Sequence, residues 1–356
     1  MAKISKNEPC FCRSGRKYKR CHGATVSKCS LKLTMSREEH WRFQYKFRRY
    51  LEHLTEEELA QRAKDILHNM TLLTDELQIG FHPVGEEGIY WWQRFTHLLE
   101  ECNLRGLPLD DIAPKDEKDN PFPNYELQGL ENSVKELLRL DLQAGNYLVK
   151  YGKYKFLEPM LKNGSIRIMP ASSYFDPSLN TAIRDNELKT SVLIPPNEVK
   201  FQDFYKNIKV SVGDKEGNLE DFAEIVGNWK YTRVSNTDFY VYCLAYEYSH
   251  RMFGDFEADC CLVITNPSEF LKRILEKFNE VMPNYSASHY SVRYYDPLNV
   301  GKNELPFYFS KDFGYSYQKE YRIVWLPPEK TMELEPVFLK LGNLEDCCEL
   351  IKLETD

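Results

Sequence analysis

Apolar positions early in the chain repeat with the period of an amphipathic helix. Ser36 stands three residues before Glu39, and Thr55 three residues before Glu58, a spacing typical of capping boxes at helix N-termini. Behind the second box, apolar residues recur every three or four positions, at Leu59, Ala63, Ile66, Leu67 and Met70. The pattern therefore predicts helices between residues 36 and 105.

A third helix in this region is predicted from its large apolar side chains. They are Tyr90, Trp91, Phe95, Leu98 and Leu99. We interpret them as the core of a helical bundle, because aromatic side chains contribute a large apolar area to a core. Residues 114–128, which follow, are charged, rich in proline and without periodicity, so they predict a linker.

Beyond the linker, the pattern changes to short strands mixed with helices. Helices are predicted at 133–143, 154–162 and 267–281. Strands are predicted at 147–151, 165–169, 208–212, 239–246, 260–265, 289–295 and 320–326. Because strands outnumber helices and do not alternate with them regularly, the pattern favours an α+β fold with a mixed sheet over a doubly wound parallel sheet.

The composition is that of a globular protein with more than one unit. Of 356 residues, 42% are hydrophobic and 28% charged, which is enough apolar material for a large core. No apolar run reaches the roughly 18 residues that a membrane helix needs, and Lys3, Lys6 and Glu8 stand where a signal peptide would be apolar. We therefore expect a cytoplasmic protein without a membrane partner.

The net charge of -7 is distributed unevenly along the chain. Residues 1–28 contain eight lysines and arginines against Glu8 alone, so this segment carries +7 and the remainder carries -14. If the protein binds nucleic acid, we expect the basic N-terminal segment to make the contact, since an acidic body repels phosphates.

Four residues of the basic segment have the spacing of a metal site. Cys10, Cys12, Cys21 and His22 form the pattern Cys-x-Cys-x8-Cys-His. Three thiolates and an imidazole suit the tetrahedral coordination of Zn²⁺, and clustered cysteines in a reducing cytosol are more often metal ligands than disulfides. The pattern predicts a structural zinc site. The alternative is an unstructured basic tail with incidental cysteines.

The residues around these ligands, at positions 7–23, resemble the SEC-C motif, the zinc knuckle known from the C-terminus of the SecA preprotein translocase ATPase. The segment departs from the usual motif at Phe11 and Arg13, neither of which is a predicted ligand. The resemblance implies an interaction module, with an acidic SecB-like chaperone as a partner. Nucleic acid is the other partner that the basic charge suggests.

Residues 147–187 are predicted as strand, helix, glycine stop, strand and polar loop. This layout resembles the opening of a bacterial family of unknown function that is often associated with anti-phage defence and, more distantly, of ADP-ribosyltransferase toxins. The first strand offers Lys150 and Tyr151 where those toxins usually have arginine or histidine. The resemblance implies NAD as the cofactor, contacted by Tyr151, Ser172, Asn180 and Arg184. Asn180 is equally typical of a turn.

The last predicted strand carries the candidate catalytic residues. Alternation places Tyr321, Ile323 and Trp325 on one face and Gln318, Glu320 and Arg322 on the other. Gln318 and Glu320 resemble the Gln-x-Glu element of ADP-ribosyltransferases. The resemblance implies that Glu320 stabilises the positive charge on the sugar as nicotinamide leaves, and that Gln318 orients the acceptor. The alternative is an exposed ion pair between Glu320 and Arg322.

These features together predict four segments. They are a SEC-C-like zinc knuckle at 1–30, a helical region at 31–112, a linker at 113–130 and an α+β domain resembling an ADP-ribosyltransferase at 131–356. We hypothesise an NAD-dependent ADP-ribosyltransferase or NAD hydrolase that acts as a toxin or an anti-phage defence effector. The rival hypothesis is a non-enzymatic adaptor whose basic zinc knuckle binds a SecB-like chaperone or nucleic acid.

Overall fold

A computed structural model of the chain describes residues 17, 35–74, 78–85, 88–108, 130–143, 145–194, 209–212, 215–218, 228–300 and 305–353. The four predicted zinc ligands and residues 113–129 of the predicted linker lie outside the described residues.

Both predicted capping boxes start helices of the helical region. The Glu39 N–H donates to Ser36 Oγ at 3.2 Å, and the Glu58 N–H donates to Thr55 Oγ1 at 3.2 Å, each with the reciprocal bond to the glutamate side chain. The helices are α1 (Arg37–Arg48), α2 (Glu56–Met70) and α3 (Gly88–Arg105). A hairpin of β1 (Thr71–Leu73) and β2 (Ile79–Phe81) joins the last two.

The aromatic side chains of α3 lie in the predicted core. Trp91 and Leu98 are buried, and Tyr90 and Phe95 pack against the same cluster. This core also takes in Phe313 from the later part of the chain, whose ring stacks on Trp91 with centroids 5.9 Å apart. The helical region is therefore packed against residues of the predicted α+β domain.

The later part of the described chain contains short helices and many strands. The helices are α4 (Leu130–Arg139), α5 (Tyr154–Asn163), α6 (Arg251–Asp255) and α7 (Pro267–Val281). The first strands are β3 (Leu148–Gly152), β4 (Ser165–Pro170), β5 (Lys189–Ile194), β6 (Lys209–Val212), β7 (Lys215–Asn218), β8 (Trp229–Val234) and β9 (Tyr240–Ala245). The others are β10 (Cys260–Ile264), β11 (Ser286–Ser291), β12 (Arg293–Tyr295), β13 (Ser310–Asp312), β14 (Glu320–Leu326), β15 (Val337–Lys340) and β16 (Cys348–Lys352).

The main sheet runs in the order β11-β14-β9-β3-β10-β16 with antiparallel pairing, and β4 and β15 extend it at one side. Strand β9 pairs with β14 along one edge. Its other edge is shared, because β3 meets it at Val149 opposite Ala245 and β4 meets it at Met169 opposite Val241. In the described part of the chain, parallel pairing is confined to the β12-β13 ladder. The α+β class is confirmed.

The two faces of β14 carry the side chains that alternation predicts. Ile323 and Trp325 lie in a core that α5 and α7 cover, where the Trp325 ring stacks on Phe278 of α7 with centroids 4.4 Å apart. Glu320 and Arg322 share the opposite face and are 4% and 1% exposed. The ion pair of the alternative is present, since Arg322 Nε donates to Glu320 Oε1, but it is buried and the expected exposure is wrong.

Element boundaries differ from the sequence prediction in places where the chain turns. The helix predicted at 133–143 ends at Arg139, and Asp141 follows with a φ of 46° in the left-handed region. The strand predicted at 289–295 is divided at Val292, whose N–H donates to the Glu320 carbonyl before the chain leaves to pair with β13. The strands that were not predicted are β1, β2, β5, β7, β8, β13, β15 and β16.

Among the described residues, no helix has both the length and the apolar character that crossing a membrane requires.

Candidate functional site

A cavity of about 1120 Å³ opens where β3 and β4 diverge along the shared edge of β9. Its lining includes Tyr242, Cys243 and Leu244, which lie on β9 between the two pairings. Helix α5, which joins β3 to β4, contributes further apolar side chains, and the loop after β4 contributes Ser173 and Tyr174. The cavity therefore results from the topology of the sheet.

Gln318 and Glu320 both line this cavity, and each is 4% exposed. Lys311 joins them, because its Nζ donates to Gln318 Oε1 at 3.0 Å and to Glu320 Oε2 at 3.1 Å. Gln318 Nε2 donates to the Ala182 carbonyl at 2.6 Å, which ties it to the loop that follows β4. The Glu320 N–H donates to Tyr294 Oη at 2.8 Å. Both side chains are thus held in fixed positions beside the cavity.

Arg322 and Lys311 keep Glu320 ionised. Burial alone would raise the pKa of Glu320, but the attraction of Arg322 and Lys311 outweighs it and holds this pKa well below its usual range. Arg322 Nε donates to Glu320 Oε1 at 2.5 Å. A carboxylate with two charged donors is a permanent anion at neutral pH.

The same arginine also binds a second carboxylate. Arg322 Nη1 and Nη2 lie 2.7 Å and 2.8 Å from the two oxygens of Glu187, and Lys311 Nζ lies 3.7 Å from Asp185 Oδ2. Burial raises the pKa of Glu187 to about 7 in spite of Arg322. We call these five residues the charge cluster: Asp185, Glu187, Lys311, Glu320 and Arg322. It contains three carboxylates and two cations.

Lys150 of β3 is a cavity residue that was not among the predicted site residues. Its Nζ donates to the Cys243 carbonyl at 2.7 Å and lies 4.6 Å from the centroid of the Tyr242 ring. Burial lowers the pKa of this amine, while Glu320 acts in the opposite direction. The signal that could have found it is a lysine inside an otherwise apolar strand, because such a charge needs a partner or a role.

The four residues predicted to contact NAD are not gathered at one place. Within the described chain, the cavity lining includes Tyr151 but not Ser172, Asn180 or Arg184. The Tyr151 hydroxyl donates to the Ser249 carbonyl, Ser172 Oγ donates to Asp238 Oδ2 at 2.6 Å, and Arg184 is exposed. The loop reaches the cavity through other side chains, which are Ser173, Tyr174, Leu179, Ala182, Ile183 and Glu187.

Asn180 has the contacts of a turn residue. Its Oδ1 accepts a bond from the Ala182 N–H at 2.7 Å, and its Nδ2 donates to Glu257 Oε1 at 2.9 Å. An asparagine that bonds the backbone two residues further on stabilises a turn. The turn interpretation of Asn180 therefore agrees with the structure.

The predicted zinc ligands Cys10, Cys12, Cys21 and His22 lie outside the described residues. Elsewhere, within the described ranges, no group of three or more histidine, cysteine, aspartate or glutamate side chains is arranged to hold a metal ion.

Comparison with known proteins identifies a SEC-C motif at residues 7–24. The matched segment contains all four predicted ligands, and the motif is of the zinc-binding type, so the match is compatible with zinc binding. The match covers residues 7–24 of a chain of 356 residues. No curated protein and no solved structure matches the chain.

Proposed function

We propose that the cavity binds NAD⁺ and that the chain cleaves its bond between nicotinamide and ribose, with ADP-ribose passing to a macromolecular acceptor or to water. The observation that supports the proposal is that Gln318 and Glu320 lie together on the wall of a cavity of about 1120 Å³. Small-molecule pockets commonly measure about 300–1,000 Å³, so this cavity has room for a dinucleotide.

The charge of Glu320 suits this reaction. As the bond between ribose C1′ and the nicotinamide nitrogen breaks, the electron pair leaves with nicotinamide and positive charge develops on the ribose. A fixed anion in a site that excludes water stabilises that charge more than water does. Glu320 is such an anion, because burial removes it from water while Arg322 and Lys311 keep it ionised. Gln318 orients the acceptor, which bonds to C1′ and releases its proton to water.

Lys150 supplies a positive group for the diphosphate of NAD⁺. An ammonium carries three donors, so its bond to the Cys243 carbonyl is compatible with further bonds to a ligand. Lys150 and Tyr151 both lie in the cavity wall formed by β3.

The toxin or defence role belongs to the same proposal, because loss of NAD⁺ or modification of an essential protein would arrest growth.

Lys150→Met is expected to weaken NAD⁺ binding about tenfold or more and to leave the protein at least as stable. The methionine fills a similar volume and removes an amine whose charged form is disfavoured by burial, in line with the lowered pKa of Lys150. We would measure NAD⁺ affinity by calorimetry and nicotinamide release by chromatography. Wild type should bind and cleave NAD⁺, and unchanged affinity in the variant would contradict the role of Lys150.

Lys162→Met is the matched control. Lys162 lies at the end of α5, is largely exposed and pairs with Glu345 at the surface. Its replacement removes the same charge from the same domain outside the cavity lining, so NAD⁺ affinity should stay within about twofold. If wild type neither binds NAD⁺ nor releases nicotinamide, the proposed activity is wrong.

We also propose that Cys10, Cys12, Cys21 and His22 bind one structural Zn²⁺. The SEC-C match at residues 7–24 supports this. We expect one zinc per purified chain by atomic emission. Cys21→Ser should lose it, since a tetrahedral site with three ligands binds far more weakly. Cys102→Ser is the control, because Cys102 is buried in the helical core. Equal zinc content in Cys21→Ser and wild type would contradict this ligand set.

The second candidate function, an adaptor, is favoured by the SEC-C match together with the +7 charge of residues 1–28. We propose that the zinc knuckle binds an acidic surface such as that of a SecB-like chaperone, with nucleic acid as the other polyanion to be compared. Binding to either should fall steeply with salt, because oppositely charged surfaces are screened. This docking and NAD⁺ cleavage would reside in different parts of one chain.

A further inference from the structure

The segment that carries Gln318 is held from outside its own domain. Residues Phe313–Gln318 form a short 3₁₀ helix, which we call the 313–318 segment, and it leads directly into β14 and Glu320. On one side, the segment packs against α2 of the helical region. The positions of Gln318 and Glu320 therefore depend on the contacts between α2 and this segment.

Asn69 of α2 binds both ends of the 313–318 segment. Its Nδ2 donates to the Gly314 carbonyl at 2.8 Å, and its Oδ1 accepts from the Tyr317 N–H at 2.7 Å. A third bond, from Nδ2 to the Asp65 carbonyl, fixes the amide on its own helix. Asn69 is 3% exposed, so water does not replace these bonds readily.

The side chain of Tyr317 continues the connection to Gln318. His68 of α2 packs edge-on against the Tyr317 ring with centroids 4.4 Å apart, and the guanidinium of Arg251 lies 4.5 Å from the centroid of the same ring. Gln318 Nε2 donates to the Tyr317 hydroxyl at 3.3 Å. The helical region is thus linked through Tyr317 to the side chain of Gln318.

A second connection reaches Glu320 along a different route. Arg62 of α2 binds Asp296 through two bonds of 3.0 Å and 2.7 Å, and Arg94 of α3 binds the same carboxylate at 3.1 Å. Asp296 follows β12 directly in the chain, and Tyr294 of β12 accepts the bond from the Glu320 N–H. Arg62 and Asp296 are buried, and the attraction of the two arginines holds the pKa of Asp296 well below its usual range in spite of burial.

We infer that the helical region, residues 35–108, positions the cavity site, and that Asn69 is a positioning residue for Gln318 and Glu320. This inference rests on the proposed function for its catalytic readout. Asn69 acts through the backbone of the 313–318 segment, so its loss should misplace the reacting groups without removing a contact to NAD⁺. A displacement of about 1 Å can cost on the order of 10²-fold in rate.

The test compares full-length wild type with Asn69→Ala and with Arg105→Met. Arg105 is a structural control, because it bonds Glu101 and the carbonyls of Leu51, Glu52 and Leu54 within the helical region. For Asn69→Ala we expect nicotinamide release to fall about 10–100-fold in kcat with the KM for NAD⁺ within about threefold. Arg105→Met should retain kcat at temperatures where both variants are folded. Equal losses of kcat in the two variants would overturn the positioning role.

Hydrogen exchange separates this inference from the proposed function. In Asn69→Ala the amide of Tyr317 loses its acceptor, so deuterium uptake by residues 313–320 should rise at least about tenfold in rate, while Arg105→Met should leave it unchanged. If wild type shows no NAD⁺ cleavage but uptake rises as expected, the proposed activity fails and the structural connection stands. Unchanged uptake in Asn69→Ala would overturn the inference whatever the activity.

Discussion

Arg322→Met should lower the free energy of unfolding by about 3–5 kcal/mol, which is the usual cost of removing one partner from a buried ion pair. The guanidinium is 1% exposed and binds Glu320 and Glu187 at distances of 2.5–2.8 Å. Without it, the two buried carboxylates keep Lys311 as a cationic neighbour, and they repel each other. Urea unfolding followed by circular dichroism measures the loss.

The matched control is Arg273→Met. Arg273 also binds two carboxylates, Glu269 and Asp346, but this triad lies at the protein surface. Exposed ion pairs contribute about 0–1 kcal/mol, so the control should lose little stability. In the double variant Arg322→Met with Glu187→Gln, part of the stability should return, because the amide does not carry an uncompensated charge. Equal losses for Arg322→Met and Arg273→Met would mean that water reaches the charge cluster.

Local pattern predicted the strand that carries Glu320, but not the 3₁₀ helix that carries Gln318. The strand predicted at 320–326 matches β14, and the helix predicted at 267–281 matches α7. Strict alternation along β14 placed Trp325 in the core and Glu320 on the other face. These features were predictable because they depend on a period of two or of 3.6 residues within a single element.

Alternation along the strand indicated Arg322 as a partner of Glu320, but it indicated neither Lys311 nor the second carboxylate that Arg322 binds. Glu187 meets Arg322 across a sequence separation of 135 residues, and Lys311 belongs to a three-residue strand without a marked pattern. The cavity exists because β3 and β4 share one edge of β9, and pairing of this kind is decided by tertiary packing. For the same reason, the loop approaches the cavity through Ser173 and Tyr174, while Ser172 turns to Asp238.

Contact between the helical region and the later part of the chain was also not predictable from the sequence. The residues at this contact fit local patterns on their own. Trp91 fits the core pattern of α3, and Asp296 precedes a proline in a turn. The buried ion pair that joins the two parts of the chain forms between Arg62 and Asp296, which are 234 residues apart. Buried polar groups need partners, but the sequence does not say which partner is near.

Glu320→Gln should reduce nicotinamide release by about 10²–10³-fold while NAD⁺ affinity stays within about threefold. The amide has the size of the carboxylate, but it lacks the charge that opposes the positive charge on ribose in the transition state. An interaction made in the transition state alone appears in kcat and leaves ground-state binding unchanged. Chromatographic assay of nicotinamide and calorimetric binding of NAD⁺ measure the two quantities on the same preparation.

Glu187→Gln is the control for charge. At pH 8, above the pKa of about 7 of Glu187, it removes one negative charge from the same cluster, at a side chain that also binds Arg322 and lines the same cavity. If Glu320 acts on the sugar directly, Glu187→Gln should lower kcat less than about tenfold. If the two variants lose kcat equally, the electrostatic field of the whole charge cluster accelerates the reaction, and the role assigned to Glu320 alone is wrong. If neither variant differs from an active wild type, the reaction takes place elsewhere in the chain.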